Sequence, residues 1–180
     1  MIIWLNGAFG AGKTTTATEL VTLVPGSRLF DTEQVGYMLR HVLADEVVRD
    51  FQDWAPWRGL VVAAATQILD HIGGVLVVAQ SVLVEQYWCE IRAGLDTAGI
   101  AVRHYVLDAE RGELVRRIGT DAADPASIWR HERLPDYAAA RAWHARHARV
   151  IDTTDRAAHD VATLIAGETA SDATTQRVRR

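Results

Sequence analysis

Apolar residues open the chain in an unbroken run, Ile2, Ile3, Trp4 and Leu5, and the polar Asn6 and a glycine-rich turn end it. Such a run predicts a strand covered on both faces, as in a parallel sheet. Val75 to Ala79 is a second run of this kind, and further stretches at 28–30, 101–107 and 149–152 predict three more strands. Between them apolar residues recur at three- and four-residue spacing. Val35, Met38, Leu39 and Val42 mark a helix over 32–43, Trp88, Ile91 and Leu95 one over 84–98, and Val161, Leu164 and Ile165 one over 155–166. Further helices are predicted at 15–21, 56–72, 109–118 and 137–147, the last a polar, solvated one. Pro25-Gly26, Gly73-Gly74 and Gly99 punctuate the pattern. Strands alternating with helices predict an α/β fold with a doubly wound parallel sheet, in one domain over residues 1–166. The pattern leaves the strand order open. Residues 119–133 lose the helical periodicity and read as a short lid, and 167–180 read as a polar, solvated tail.

The turn after the first strand changes this picture from architecture to chemistry. Gly7-Ala8-Phe9-Gly10-Ala11-Gly12-Lys13-Thr14 matches the phosphate-binding pattern GxxxxGK[ST] and stands where its mechanism needs it, between a strand and the start of a helix. Glycines let successive N–H groups turn inward, and the helix start adds unpaired donors and the positive end of a dipole. Gly7 to Thr15 are therefore the expected nucleotide contacts, with Lys13 on the β- and γ-phosphates and the Thr14 hydroxyl on Mg²⁺. Of 19 basic residues 18 are arginine, and the one lysine is Lys13. A compact ammonium on a flexible stem stands where phosphate is to be gripped.

Composition narrows the partners. A chain of 180 residues with net charge −4 gives no electrostatic case for nucleic acid or an anionic membrane, and no apolar run approaches the length of a membrane span. The first strand begins at residue 2, which leaves no space for a signal peptide and predicts a cytoplasmic protein. Cys89, the single cysteine, reads as a small buried apolar residue. His144 and His147, three residues apart, have no third ligand suggested nearby and carry no metal reading.

Asp31, after the second strand, has two compatible roles. It caps the following helix with Gln34 completing a capping box, or it projects from the strand end into the ligand crevice as the group that receives the acceptor's proton. Phe51, Trp54 and Trp57, set among charges, are packing residues or a face on which a sugar or base stacks. Arg117, Arg133 and Arg130 are the arginines best placed to clamp a transferring phosphate. Gln80 and Ser81 stand at the end of the 75–79 strand, where a Walker B motif has Asp, which argues against motor ATPases. The chain has no second lysine for an NKxD motif, and Asp96-Thr97-Ala98-Gly99 lies at a helix end, so a GTPase is excluded.

Residues 1–20, the Phe30-Asp31 pair followed by Gly36-Tyr37-Met38-Leu39-Arg40, Asp50-Phe51-Gln52, Trp57-Arg58 and the strand and helix of 101–118 resemble the bacterial tunicamycin-resistance proteins. More distantly the chain is similar to chloramphenicol phosphotransferase and to nucleoside monophosphate and shikimate kinases. The resemblance implies a P-loop kinase fold, ATP with Mg²⁺ as cofactor, and resistance to a nucleoside antibiotic bearing sugars and an acyl chain, by phosphoryl transfer or by sequestration. By resemblance to small-molecule kinases, Arg40, Arg58, Phe51, Trp54 and Trp57 border the acceptor. Members of the family can carry an amphipathic, membrane-associated C-terminus, whereas 167–180 has only Val178 as a sizeable apolar residue, which argues against membrane attachment here.

Overall fold

The computed structural model describes residues 1–121 and 127–178, with side chains described to residue 170. Five strands, β1 (Ile2–Gly7), β2 (Ser27–Leu29), β3 (Val75–Ala79), β4 (Val102–Asp108) and β5 (Arg149–Asp152), form one parallel sheet in the order β2-β3-β1-β4-β5. The order reverses at β1, which pairs with β3 through Trp4 and Val78 and with β4 through Leu5 and Tyr105. In open α/β sheets that reversal leaves a crevice at the carboxyl ends of the strands, and here the glycine-rich turn leaves β1 at this point.

Helices cover both faces. β1 divides its side chains between them: Ile3 and Leu5 join the core under α1 (Lys13–Leu23) and α8 (Ala158–Val178), while Ile2 and Trp4 join the core under α3 (Ala55–Ile72), α4 (Glu85–Thr97) and α7 (Leu134–His147). All four are fully buried, so the uninterrupted apolar run is the signature of a strand with no solvent face. The remaining helices are α2 (Glu33–Val42), α5 (Arg111–Gly119) and α6 (Ile128–Glu132), and Phe51–Asp53 form a single 3₁₀ turn.

Three features differ from the sequence reading. The closing helix does not stop at residue 166 but runs to Val178, so residues 167–178 continue the helix. Glu168 ties the extension to the sheet: it accepts a hydrogen bond from the Tyr105 hydroxyl at 3.1 Å and pairs with Arg149. Helix α7 is not a solvated helix, because Tyr137, Ala140, Trp143 and His144 are buried. Cys89 lies exposed on α4. Of the lid, residues 122–126 lie outside the described residues, and 128–132 form α6. Among the described residues no helix is long and apolar enough to cross a membrane.

Candidate functional site

Asn6 fixes where the glycine-rich turn begins. Its side-chain oxygen accepts from the Gly7 amide at 2.8 Å and the Val82 amide at 2.9 Å, and its amide nitrogen donates to the Val82 carbonyl at 3.1 Å, so one buried side chain clasps the ends of β1 and β3 together. Gly7 follows with φ 130, and a Cβ there would stand 2.1 Å from the Leu107 carbonyl oxygen, so only glycine lets β1 lie this close to β4. Gly12 caps α1 in the left-handed conformation. No acidic residue stands in the first turn of α1, which leaves the positive end of its dipole unopposed.

The turn walls a cavity of about 440 Å³. Its lining includes Phe9 to Thr16, then Glu33, Gln80 and Ser81, and Arg117, Asp121, Arg130, Thr153 and Arg156. Lys13 is buried, and its ammonium donates to the carbonyl oxygens of Ala8 at 2.7 Å and Gly7 at 3.2 Å. Burial pushes its pKa down to about 7, against the pull of Glu33 and together with the repulsion of Arg130. Thr14 and Thr15 lie exposed on the same wall.

The arginines of the predicted clamp are distributed over two cavities. Arg117 lines the large one, donating to the carbonyls of Thr153 at 2.7 Å and Thr154 at 2.9 Å and to Glu113 at 2.6 Å. Arg130 lines it too, paired with Asp121. Arg133 instead walls a smaller neighbouring cavity, where it is held by Asp50 and by Asp136 at 3.1 Å and lies over the Trp129 ring.

Among the residues expected to border an acceptor, the sequence expectations and the structure part company. Asp31 is exposed and stands outside the cavity lining: its carboxylate accepts from the Glu33 amide and from the Gln34 side chain, each at 2.9 Å. Two other carboxylates line the cavity: Glu33, two residues on and without a sequence signal, and Asp121, which is paired with Arg130. Trp54 and Trp57 are core residues and offer no face to a sugar or base; the Trp57 indole donates to the Thr32 carbonyl at 3.1 Å. Arg58 is buried against the Tyr87 ring at 4.2 Å and spends its donors on Glu90 at 2.5 Å and the Gln52 carbonyl at 2.6 Å. Phe51 packs on Trp57 with ring centroids 5.3 Å apart, and exposed Arg40 lies over Phe51. Thr153 is a further wall residue without a sequence signal: buried at the end of β5, its hydroxyl donates to the Ala11 carbonyl at 3.2 Å and braces the turn.

His144 and His147 do not converge on a metal site, and among the described residues no cluster of metal ligands occurs. The His144 ring lies 3.0 Å from the Val82 carbonyl and His147 2.9 Å from Glu85.

The sheet order and the glycine-rich turn after the first strand define the fold as that of the P-loop kinases. The chain is similar to the tunicamycin resistance protein of Deinococcus radiodurans, with 28% identity over 93% of this chain and 94% of that one and a TM-score of 0.76. The resemblance carried by the sequence motifs is thus met in the structure. A gluconokinase from Sinorhizobium meliloti (14% identity, 97% and 95% of the two chains, TM-score 0.66) and the shikimate kinase of Acinetobacter baumannii (22%, 95% and 93%, 0.64) share the fold. No protein-family model matches the chain, and no curated protein matches it.

Proposed function

We propose that this chain binds Mg·ATP and transfers the γ-phosphoryl group to a hydroxyl of a small molecule, and that through this it confers resistance to a nucleoside antibiotic of the tunicamycin kind. The observation that carries the transfer reading is the Lys13 ammonium, buried in a glycine-built cradle on the wall of a cavity whose lining also holds two carboxylates, Glu33 and the Asp121 that is paired with Arg130. The antibiotic enters from the likeness to the Deinococcus radiodurans resistance protein.

In this reading the turn amides and Lys13 hold the β- and γ-phosphates, and Arg117, Thr153 and Arg156 wall the remainder of the nucleotide. The exposed Thr14 hydroxyl beside the phosphate cradle is a hard oxygen donor suited to Mg²⁺, an ion that takes most of its other ligands from phosphates and water. When bound, that ion neutralises charge on the phosphate oxygens. Glu33, not the capping Asp31, orients the acceptor hydroxyl. As the acceptor oxygen bonds to the γ-phosphorus and the bond to the bridging oxygen breaks, the hydroxyl proton passes late to the Glu33 carboxylate. Arg130 lines the same cavity and stabilises charge on the group in flight.

A second reading, ATP-gated sequestration without chemistry, has one observation in its favour. The end of β3 carries no carboxylate, and the Gln80 side-chain oxygen is already engaged by the Thr32 hydroxyl at 2.8 Å. Mass spectrometry of tunicamycin incubated with the protein and Mg·ATP separates the two. Transfer adds one phosphoryl group to the drug, and a drug of unchanged mass in a complex that requires ATP supports sequestration.

A further inference from the structure

Beside the large cavity lies a smaller one of about 40 Å³, and Phe9 and Ser81 line both. By its volume it has space for roughly three water-sized groups. Its other polar walls are Asp50, Gln52, Asp53, Tyr87 and Arg133. From its charge balance we propose that this cavity is the acceptor subsite and that it takes the edge of a neutral polyhydroxyl group, such as a glycosyl ring, and excludes an anionic acceptor. The proposal rests on the transfer reading above and adds the acceptor class.

Two carboxylates and one guanidinium face this space, and the guanidinium is neutralised from within. Arg133 and Asp50 are an almost buried ion pair, with side chains 11% and 10% exposed, and Asp136 takes a second Arg133 donor. Asp53 accepts from the Tyr87 hydroxyl at 3.1 Å and from the Asp50 amide at 3.1 Å. Behind the lining, Arg58 lies over the Tyr87 ring and is held by Glu90, and Arg49 is paired with the same Asp136 at 3.0 Å. An anion entering here meets a formal excess of negative charge, and it reaches Arg133 only by displacing Asp50 from an almost buried ion pair. A hydroxyl group meets no such barrier. It donates to carboxylate oxygens and accepts from the guanidinium without separating the pair, the arrangement by which a few placed polar groups select an uncharged ligand.

The test uses the full chain saturated with a non-hydrolysable ATP analogue and Mg²⁺, with the Trp129 indole resonance under Arg133 as reporter, assigned through Trp129→Phe. Methyl glucoside and gluconate, a neutral and an anionic probe of matched size, are titrated in turn. The wild type is expected to bind the glucoside at least about tenfold more tightly, the size of one charge-assisted hydrogen bond. Asp50→Asn, which leaves Arg133 without that counter-charge, is expected to gain about tenfold for gluconate while the glucoside changes less. Asp53→Asn, at the exposed rim, is the second variant and shifts preference the same way. Equal wild-type affinity for the two probes, or no gain for gluconate in either variant, overturns the proposal. Failure of the ATP analogue itself to bind the wild type is a separate result, and it overturns the transfer reading.

Discussion

The ammonium nitrogen of Lys13 lies 2.7 Å from the carbonyl oxygen of Ala8, inside the loop that lines the cavity. The lysine folds back on its own loop and loses water, and burial brings its pKa to about 7. A triphosphate in the cradle supplies the counter-charge that the loop carbonyls do not. Binding at pH 8 is therefore predicted to take up close to one proton per site, and binding at pH 6 almost none. Indicator-dye measurements in weakly buffered solution read this directly. The same shift has a sign for folding. The unfolded chain holds this proton up to the ordinary lysine range, so this group adds stability to the free protein as pH rises from about 7 toward ~10.4.

Glu33 and Asp31 give opposite predictions for one chemistry. Glu33→Gln is expected to lower transfer by ~10² or more while leaving nucleotide affinity within a few-fold, the usual effect of losing a proton acceptor. Asp31→Asn touches the start of α2, where Asn still accepts a hydrogen bond, and its rate is expected to stay within about threefold. Steady-state rates of the two variants with equilibrium nucleotide binding decide the assignment, and a deeper loss in Asp31→Asn reverses it.

Trp57 separates packing from recognition. The side chain is fully buried and its indole is bonded to the Thr32 carbonyl. Trp57→Ala is predicted to cost about 3 to 5 kcal/mol in urea unfolding, as for large core truncations. A stable variant with weakened acceptor binding would place the ring in the site instead.

Acid is predicted to unfold the protein through two buried histidines. Burial holds His104 down to about 3, with its backbone bond to His147 opposing and His144 adding to the effect, and holds His144 down to about 4. The unfolded chain binds these protons near pH 6.5, so the stability they contribute is complete above that value and is lost as pH falls toward 3 to 4. At pH 4.5 the loss is on the order of 2 kcal/mol for His104, less for His144. Urea midpoints measured from pH 7 to pH 4.5 test this, and His104→Asn is expected to flatten the profile.

The fold was largely legible in the chain because buried parallel strands leave no polar residue to break the run: Ile2 to Leu5 and Val75 to Ala79 announce themselves. The glycine-rich turn was legible for a related reason, since Gly7 and Gly12 hold backbone conformations that few other residues tolerate. Strand order was not, because β1 presents the same apolar run whichever strands flank it. At the acceptor side the sequence pointed to Asp31, which satisfies both a cap pattern and a strand-end position; one turn of backbone decides that Glu33 faces the cavity. Trp54 and Trp57 sit among charges along the chain yet point into the second core. Residues 167–178 hold only Val178 as a sizeable apolar residue, so nothing in the pattern signals a helix that the Glu168 contacts with Tyr105 and Arg149 anchor to the sheet.

The central claim is that the first loop grips a triphosphate through Lys13. Calorimetric titration of the full chain with Mg·ATP, beside Lys13→Ala, tests it most directly. Saturable one-to-one binding that the variant loses is the predicted result; absence of binding to the wild type, or equal binding by the variant, contradicts it.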